Sequence, residues 1–336
     1  MTDSNANMTS PAVDRSTIQM ALQQACRAPS IHNTQPWRWE FDGTNLFLCR
    51  DNTRLLTAAD PTGRQLVISC GAILDHLRTA LAARGWRTDL ERLPDPGRPD
   101  LLARLVPRPW TNPPDDVVAR AAAIQDRRTD RLALLAPAGF EDVARSARTL
   151  ANPHGIELDV LADSARPILA EASQEASAKR RYDMDYQAEL HWWTGHSAQH
   201  EGIPRTALPP DDAITHVPIA RTFPAAPGNG RRLDIEDRAE LIVLSSSGNS
   251  VNDWLQVGEA LSAVLLECTR AGLATCALTH ITELVSARRA LEGLITGNGV
   301  PQVLIRVGAA PADDAPPQPI SRRPVEEILT IAAHPG

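Results

Sequence analysis

Ser30, Asn33 and Gln35 stand within one short run, "PSIHNTQPW" from Pro29 to Trp37, bounded and interrupted by prolines. Hydroxyl and amide groups offer donors and acceptors together, so the set can satisfy the edge of a planar heteroaromatic ring and an attached polyol chain. Serine and asparagine also bond the backbone of their own loops, and that plainer role stays open. A second set, "DRRTDR", brings Arg127, Arg128, Thr129 and Arg131 to the end of a predicted helix, while "SRRP" adds Ser321, Arg322 and Arg323 further along. Guanidinium forks bind phosphate oxygens in pairs, which suits a phosphate monoester. Each arginine run alone reads as solvated surface. With the loop they make chemical sense as the two ends of one elongated ligand.

Other chemistries lack their signatures. The chain has no G-x-x-x-x-G-K-[ST], no G-x-G-x-x-G after a strand and no G-x-S-x-G. Its histidines have no partner cysteine and no H-E-x-x-H frame, so no metal site is expected. Cys26, Cys49, Cys70, Cys268 and Cys276 form no C-x-x-C pair and sit in apolar runs, as core residues do.

The elements that must position these groups follow from periodicity. Ile18, Leu22, Ala25 and Cys26 share one face of a helix that Pro29 stops, so the Ser30–Gln35 loop follows a helix end. "WRWEF" and "LFLC" flank the turn dipeptide Asp42–Gly43, "GRQLVISCGAILDHLRTALAARG" is a long helix, and strands are predicted near 86–93 and 101–106. After the proline-rich "PRPWTNPPDD" come helices through "DDVVARAAAIQDRR", from about Phe140 and from Ala165, with the strand "IELDVLA" between the last two. "AELIVLSSS" is a strand, and Trp254, Val257, Leu261, Val264, Leu265 and Cys268 then keep helical spacing. A strand near Cys276, a helix from Thr282 to Ile295 and the strand "PQVLIRVG" complete the pattern.

Both halves run strand, long helix, strand, and Gly71 and Gly85 are spaced like Gly258 and Gly272. This hints at internal duplication, with coincidence between two ordinary helices as the alternative. Residues 183–238 are too long for a simple connection and read as a lid or a structural arm. The 336 residues, 43% hydrophobic, suffice for one large or two ordinary domains, and 34 basic against 41 acidic side chains argue against a nucleic-acid partner. No apolar run of spanning length and no basic, then apolar, leader is seen, so a soluble cytoplasmic chain with no membrane partner is expected.

"ACRAPSIHNTQPWRW", "RRTDR", "AELHWWTG", "GEALSAVLLECTRAGLATCALTHITEL" and "RRPVEEI" resemble, in order and from about Ile18 to Ile328, the Acg-type FMN-binding branch of the nitroreductase superfamily. That superfamily has a flavin loop reading roughly P-S-S-x-N-x-Q-P-W and a phosphate motif R-R-S-x-R. The resemblance implies an α+β, nitroreductase-like fold of two fused halves, 15–112 and 113–330, imitating the family homodimer, with a lid-like insertion at about 183–238. It implies FMN as cofactor, with Pro29, Ser30, Asn33 and Gln35 at the ring and ribityl chain. Arg128, Thr129, Arg131, Arg322 and Arg323 would hold the phosphate. Thr279 and His280 stand where family members bring a backbone N–H to flavin N5, and the His280 side chain is a candidate catalytic proton donor beside a structural role. Ile31 departs from the second serine of the pattern. No second N-x-Q-P-W and no earlier R-R-[ST]-x-R occur, which implies one flavin per chain.

The implied activity is an FMN oxidoreductase of nitroreductase type, with NADH or NADPH as the candidate donor and a small nitroaromatic or quinone-like acceptor as its partner. A monomer, with further self-association open, is implied. The alternative is a flavin-binding or flavin-storage protein in which Trp192 and Trp193 belong to a closed lid. A scaffold that never binds FMN is a third reading.

Overall fold

The computed structural model describes residues 12–195, 200–224, 226 and 231–332. Helix α1 (Arg15–Ala25) starts where the Asp14 carboxylate accepts the Thr17 N–H, and buries Ile18, Ala21, Leu22 and Ala25. Strand β1 (Trp37–Phe41) points Trp37, Trp39 and Phe41 inward, and turns back into β2 (Leu46–Arg50) where Asp42 accepts the N–H groups of Thr44 and Asn45. Helix α2 (Arg64–Ala82) is buried along almost its whole length. Strands β3 (Trp86–Arg92) and β4 (Leu101–Pro109) and helix α3 (Asp115–Asp126) follow.

The chain continues through α4 (Phe140–Ala151), β5 (Ile156–Val160), α5 (Ala165–Arg180), α6 (Met184–Trp193), α7 (Asp211–Ile214) and β6 (Glu240–Ser246). Helix α8 (Val251–Arg270) opens on a capping box between Ser250 and Asp253. Then come β7 (Ala274–Leu278), α9 (Val285–Glu292), β8 (Val300–Gly308), α10 (Val325–Ile328) and β9 (Leu329–Ile331). The helix expected over Thr282–Ile295 is the shorter α9. Thr282 does not cap it, because its hydroxyl is committed to the Thr279 and Gln302 carbonyls.

Two sheets result, ordered β3-β4-β2-β1-β9 and β5-β6-β8-β7. With β1 matched to β5, β2 to β6, β3 to β7 and β4 to β8, the strand orders coincide, the pairs are antiparallel, and α2 and α8 occupy the same place in the chain path. Even the register shift recurs, between Leu48 and Cys49 and between Leu244 and Ser245. The difference is β9, which adds parallel to β1.

Helices α2 and α8 pack face to face, and their seam is glycine on both sides. A Cβ on Gly71 would lie 2.1 Å from the Leu255 carbonyl oxygen, and one on Gly258 would lie 2.0 Å from that of Ile68. Only the absence of side chains lets the two backbones touch.

Within residues 183–238, α6 and the segment ending at Phe223 join Leu56, Ala59, Tyr186 and Leu190 in a small apolar cluster that also takes in Ile31 and Trp193. Residues 196–199, 225 and 227–230 of that insertion lie outside the described residues.

Candidate functional site

The loop after α1 is held in an unusual backbone form: His32, Asn33 and Gln35 have φ of 45°, 55° and 50°. Such left-handed residues are sparsely populated outside glycine and persist only where surroundings fix them. Here the fixing is explicit. The Ser30 hydroxyl accepts the Gln35 N–H at 3.0 Å, the Ser69 hydroxyl on α2 accepts the Ile31 N–H at 3.2 Å, and the fully buried Trp37 and Trp39 anchor the strand that follows.

The predicted amides face two ways. Asn33 Nδ2 donates to the Gly202 carbonyl at 2.8 Å and Gln35 Nε2 to that of His200 at 2.7 Å, while Gln35 Oε1 accepts the Arg323 N–H at 2.8 Å. Much of their capacity therefore ties the loop to the insertion and to the segment before α10, as the plainer reading allowed. Asn33 Oδ1, however, is buried with no partner, as are both ring nitrogens of His32. Orphaned buried polar atoms are costly and call for a partner, such as water or a ligand, that the fold does not supply.

Beside the loop lies a cleft of about 900 Å³, open mouth included, walled by Pro29, Ser30 and His32, by Gln65 and Ser69 of α2, and by Thr279 just past β7. Thr129 and Arg131 line it and also line a second space of about 1200 Å³, so the two spaces adjoin across these residues. The Arg131 guanidinium sits at this junction, 5.4 Å from the centre of the Phe223 ring.

The second compartment gathers Arg27, Arg127, Arg128 and Arg322. Their bonds go to backbone carbonyls: Arg127 to Arg27 at 3.0 Å, Arg128 to Arg127 at 2.9 Å and Arg322 to Ile320 at 3.0 Å. Among the described residues no carboxylate pairs with any of the four. The Nε atoms of Arg27, Arg127 and Arg322 are buried without a partner. Burial, then the neighbouring Arg322, Arg128 and Arg27, pushes the Arg127 pKa down to about 9; burial and Arg27 push Arg322 down to about 10. Like charges crowded out of water are unfavourable until an anion joins them. Asp130 does not neutralise the group, because it turns away to the buried Arg232 at 2.9 Å.

Four expected site residues line neither compartment. Asn33 and Gln35 are buried behind the loop, their amides spent on the Gly202 and His200 carbonyls. Arg323 does not line the guanidinium compartment; it faces Glu327 at 3.4 Å and Asp51 at 4.0 Å. The His280 imidazole does not line the cleft. It lines the adjacent cavity with Tyr186 and Glu283, bonds the Ser173 hydroxyl through Nε2 at 2.8 Å, and burial holds its pKa well below the ordinary histidine value, so it carries no spare acidic proton. Thr279 is on the cleft wall as expected, its hydroxyl donating to Gln65 Oε1. Arg127 stands in the arginine run that the sequence singles out, whereas Arg27, Gln65 and Ser69 were not among the expected residues. The signal for the last two was present: they are polar at i and i+4 in a stretch of α2 that is otherwise apolar up to Leu74.

The matched topology allows the opposite side of the molecule to be compared. Where Thr279 follows β7, Arg92 ends β3, and Arg92 Nε bonds the fully buried Glu259 of α8 at 2.7 Å. Arg78 reaches the same carboxylate at 3.2 Å, and His154 lies 3.6 Å from it. The connection between α4 and β5 is only residues 152–155, leaving no counterpart to the Ser30–Gln35 loop. A buried ion cluster thus fills the place of a second cleft. Glu259→Ala is expected to cost about 2–3 kcal/mol in urea unfolding, less than for a fully buried pair because both arginines are partly exposed. The first cleft should be unchanged; an unaltered unfolding midpoint would contradict this role.

No family model matches the chain. It is 42% identical over 96% of its length, and 97% of the relative's, to a Mycobacterium tuberculosis protein named "Putative NAD(P)H nitroreductase acg". It is also 41% identical over 95% of its length, and 94% of the relative's, to Rv3127 of the same organism, named only as uncharacterized. Among solved structures, the FMN-dependent nitroreductase NfnB of Mycobacterium smegmatis, in complex with NADPH, is 20% identical with a TM-score of 0.36, covering 58% of this chain and 89% of that one.

Proposed function

Since the chain belongs to the NAD(P)H nitroreductase family that includes acg of Mycobacterium tuberculosis, we propose that it is an FMN-dependent oxidoreductase that reduces small nitroaromatic or quinone-like acceptors, with NADH or NADPH as electron donor. One observation carries the reading: the start of a loop rich in hydrogen-bonding groups lines one space, and four guanidiniums with no carboxylate partner among the described residues, Arg27, Arg127, Arg128 and Arg322, line a second space adjoining it at Thr129 and Arg131. The three buried, unpartnered arginine Nε atoms fit the cofactor's phosphate, and the Ser30, Gln65 and Thr279 side chains lining the first space fit its ring edge.

When bound, FMN supplies two-electron transfer between donor and acceptor. The chain's own groups hold and orient it. Ser30, Gln65 and Thr279 offer hydroxyl and amide groups to the ring edge; Thr129 bridges the compartments; Arg27, Arg127, Arg128 and Arg322 meet the phosphate. Arg131, at the junction, places a fixed positive charge beside the ring compartment, where it stabilises charge gathering on a ligand. Pro29 keeps the loop from continuing α1.

The matched halves, 15–112 and 113–330, support the reading of one chain doing the work of a family homodimer, and the Glu259 cluster supports one FMN per chain. Purified holoprotein is expected to carry one FMN, not two, by absorbance against protein concentration. No helix among the described residues is long and apolar enough to cross a membrane; a cytoplasmic location and a monomeric state are parts of the proposal. A pure storage role is not favoured by the relatives' names. The deciding test is anaerobic mixing of the yellow holoprotein with NADPH: the flavin absorbance should bleach and return when a nitroaromatic is added. Colour that only dithionite removes would sink the reading.

A further inference from the structure

We propose that His32 is the residue that receives the electron acceptor, its neutral imidazole donating a hydrogen bond to an oxygen of a planar aromatic acceptor held against Phe223. The proposal rests on the FMN reading of the cleft and adds a residue for the second ligand.

The position is a costly one for a histidine. Its backbone, φ 45° and ψ 25°, is one that glycine would adopt freely, yet a large ring is kept there. That ring is 5% exposed, lines the cleft, and has no partner at either nitrogen. Strain and an unsatisfied buried polar group at one residue point to a role outside the fold.

The surroundings specify the ligand. His32 meets Phe223 edge to face at 6.4 Å, and Phe223, Arg221 and Ile203 come from the insertion, whereas Gln65, Ser69 and Thr279 come from the two sheet-bearing halves. The cavity therefore offers polar groups suited to a flavin edge and, from the insertion, the Phe223 ring and Ile203 as a surface suited to a planar aromatic ring. Burial, with Arg221 and Arg131 beside it, holds the His32 pKa well below the ordinary value, so the ring is neutral at physiological pH. Arg221 is itself paired with Glu283. A neutral imidazole donates from one nitrogen only, and such a donor fits an oxygen on which negative charge collects during reduction.

The test uses oxidised, FMN-loaded protein titrated with 4-nitrobenzyl alcohol, which is not turned over in that state, followed calorimetrically. His32→Gly keeps the left-handed backbone without strain, so FMN content and melting temperature should match the wild type while the probe binds about 5- to 10-fold more weakly. His32→Asn tolerates the same backbone, retains an N–H donor and should recover most of the affinity. Unchanged probe binding in His32→Gly, or no binding to the wild type, would overturn the proposal. Loss of FMN from His32→Gly would make His32 a flavin ligand and overturn it as well. Wild-type protein that takes up no FMN would instead defeat the cleft reading itself, visible before any probe is added.

Discussion

Arg128→Ala combined with Arg322→Ala yields, on this structure, a protein that purifies colourless and binds FMN about a hundred- to ten-thousandfold more weakly. Hydrogen bonds to a charged group contribute roughly 1.5–3 kcal/mol each, and two guanidiniums are removed. The loss would not come from misfolding. Both side chains bond only backbone carbonyls, a long 3.5 Å contact from Arg322 to Arg27 being the one that crosses the fold, and each is one of several buried or half-buried like charges. Removing two relieves the repulsion that, after burial, helps push Arg127 down to about 9. The FMN-free double variant should therefore melt no lower than FMN-free wild type. Arg128→Lys keeps the charge but loses the fork and should fall between. A double variant that stays yellow at one FMN per chain would show that the phosphate lies elsewhere.

Gly258→Ala is expected to be the most damaging single methyl in the molecule, at about 3 kcal/mol or more in urea unfolding, the upper end for overpacking. The added carbon would lie 2.0 Å from the Ile68 carbonyl oxygen and 2.7 Å from the Gly71 Cα, both backbone, so α2 and α8 must separate. Ile68 and Leu261, from those helices, line the cleft, so FMN retention should fall with stability. Gly155→Ala makes the contrast. Its φ of 68° strains any side chain, but nothing lies within 4 Å, and a cost of about 1 kcal/mol is expected. Equal costs for the two variants would show that the helix seam is looser than described.

The site was legible where function is carried by consecutive residues. "PSIHNTQPW" and "RRTDR" announce their groups by composition, and the end of β7 put Thr279 on the cleft wall. Side-chain direction was not legible. Arg322 and Arg323 are neighbours in an extended segment, where successive side chains point to opposite sides, so one enters the guanidinium compartment and the other finds Asp51 and Glu327. Thr279 and His280 diverge for a similar reason at the start of a 3₁₀ turn. Arg27 is isolated in sequence and joins its partners only through the tertiary fold. The duplication, a hint from glycine spacing, rests in the structure on strand order, which no local pattern encodes. The three residues of β9 gave no signal, because their pairing with β1 spans nearly the whole chain.

That pairing dictates when the protein can become a flavoprotein. During translation, α1 to β4 leave the ribosome while the outer edge of β1 has no neighbour, and nothing made until then can cover it. Arg322 and the Arg323 backbone N–H that donates to Gln35 Oε1 belong to the same late stretch. The nascent early half therefore waits, with an open strand edge and a half-built phosphate cradle, until residues 320–331 emerge. In that interval the open edge is a pairing-prone feature of the chain, and cofactor capture follows the arrival of Arg322.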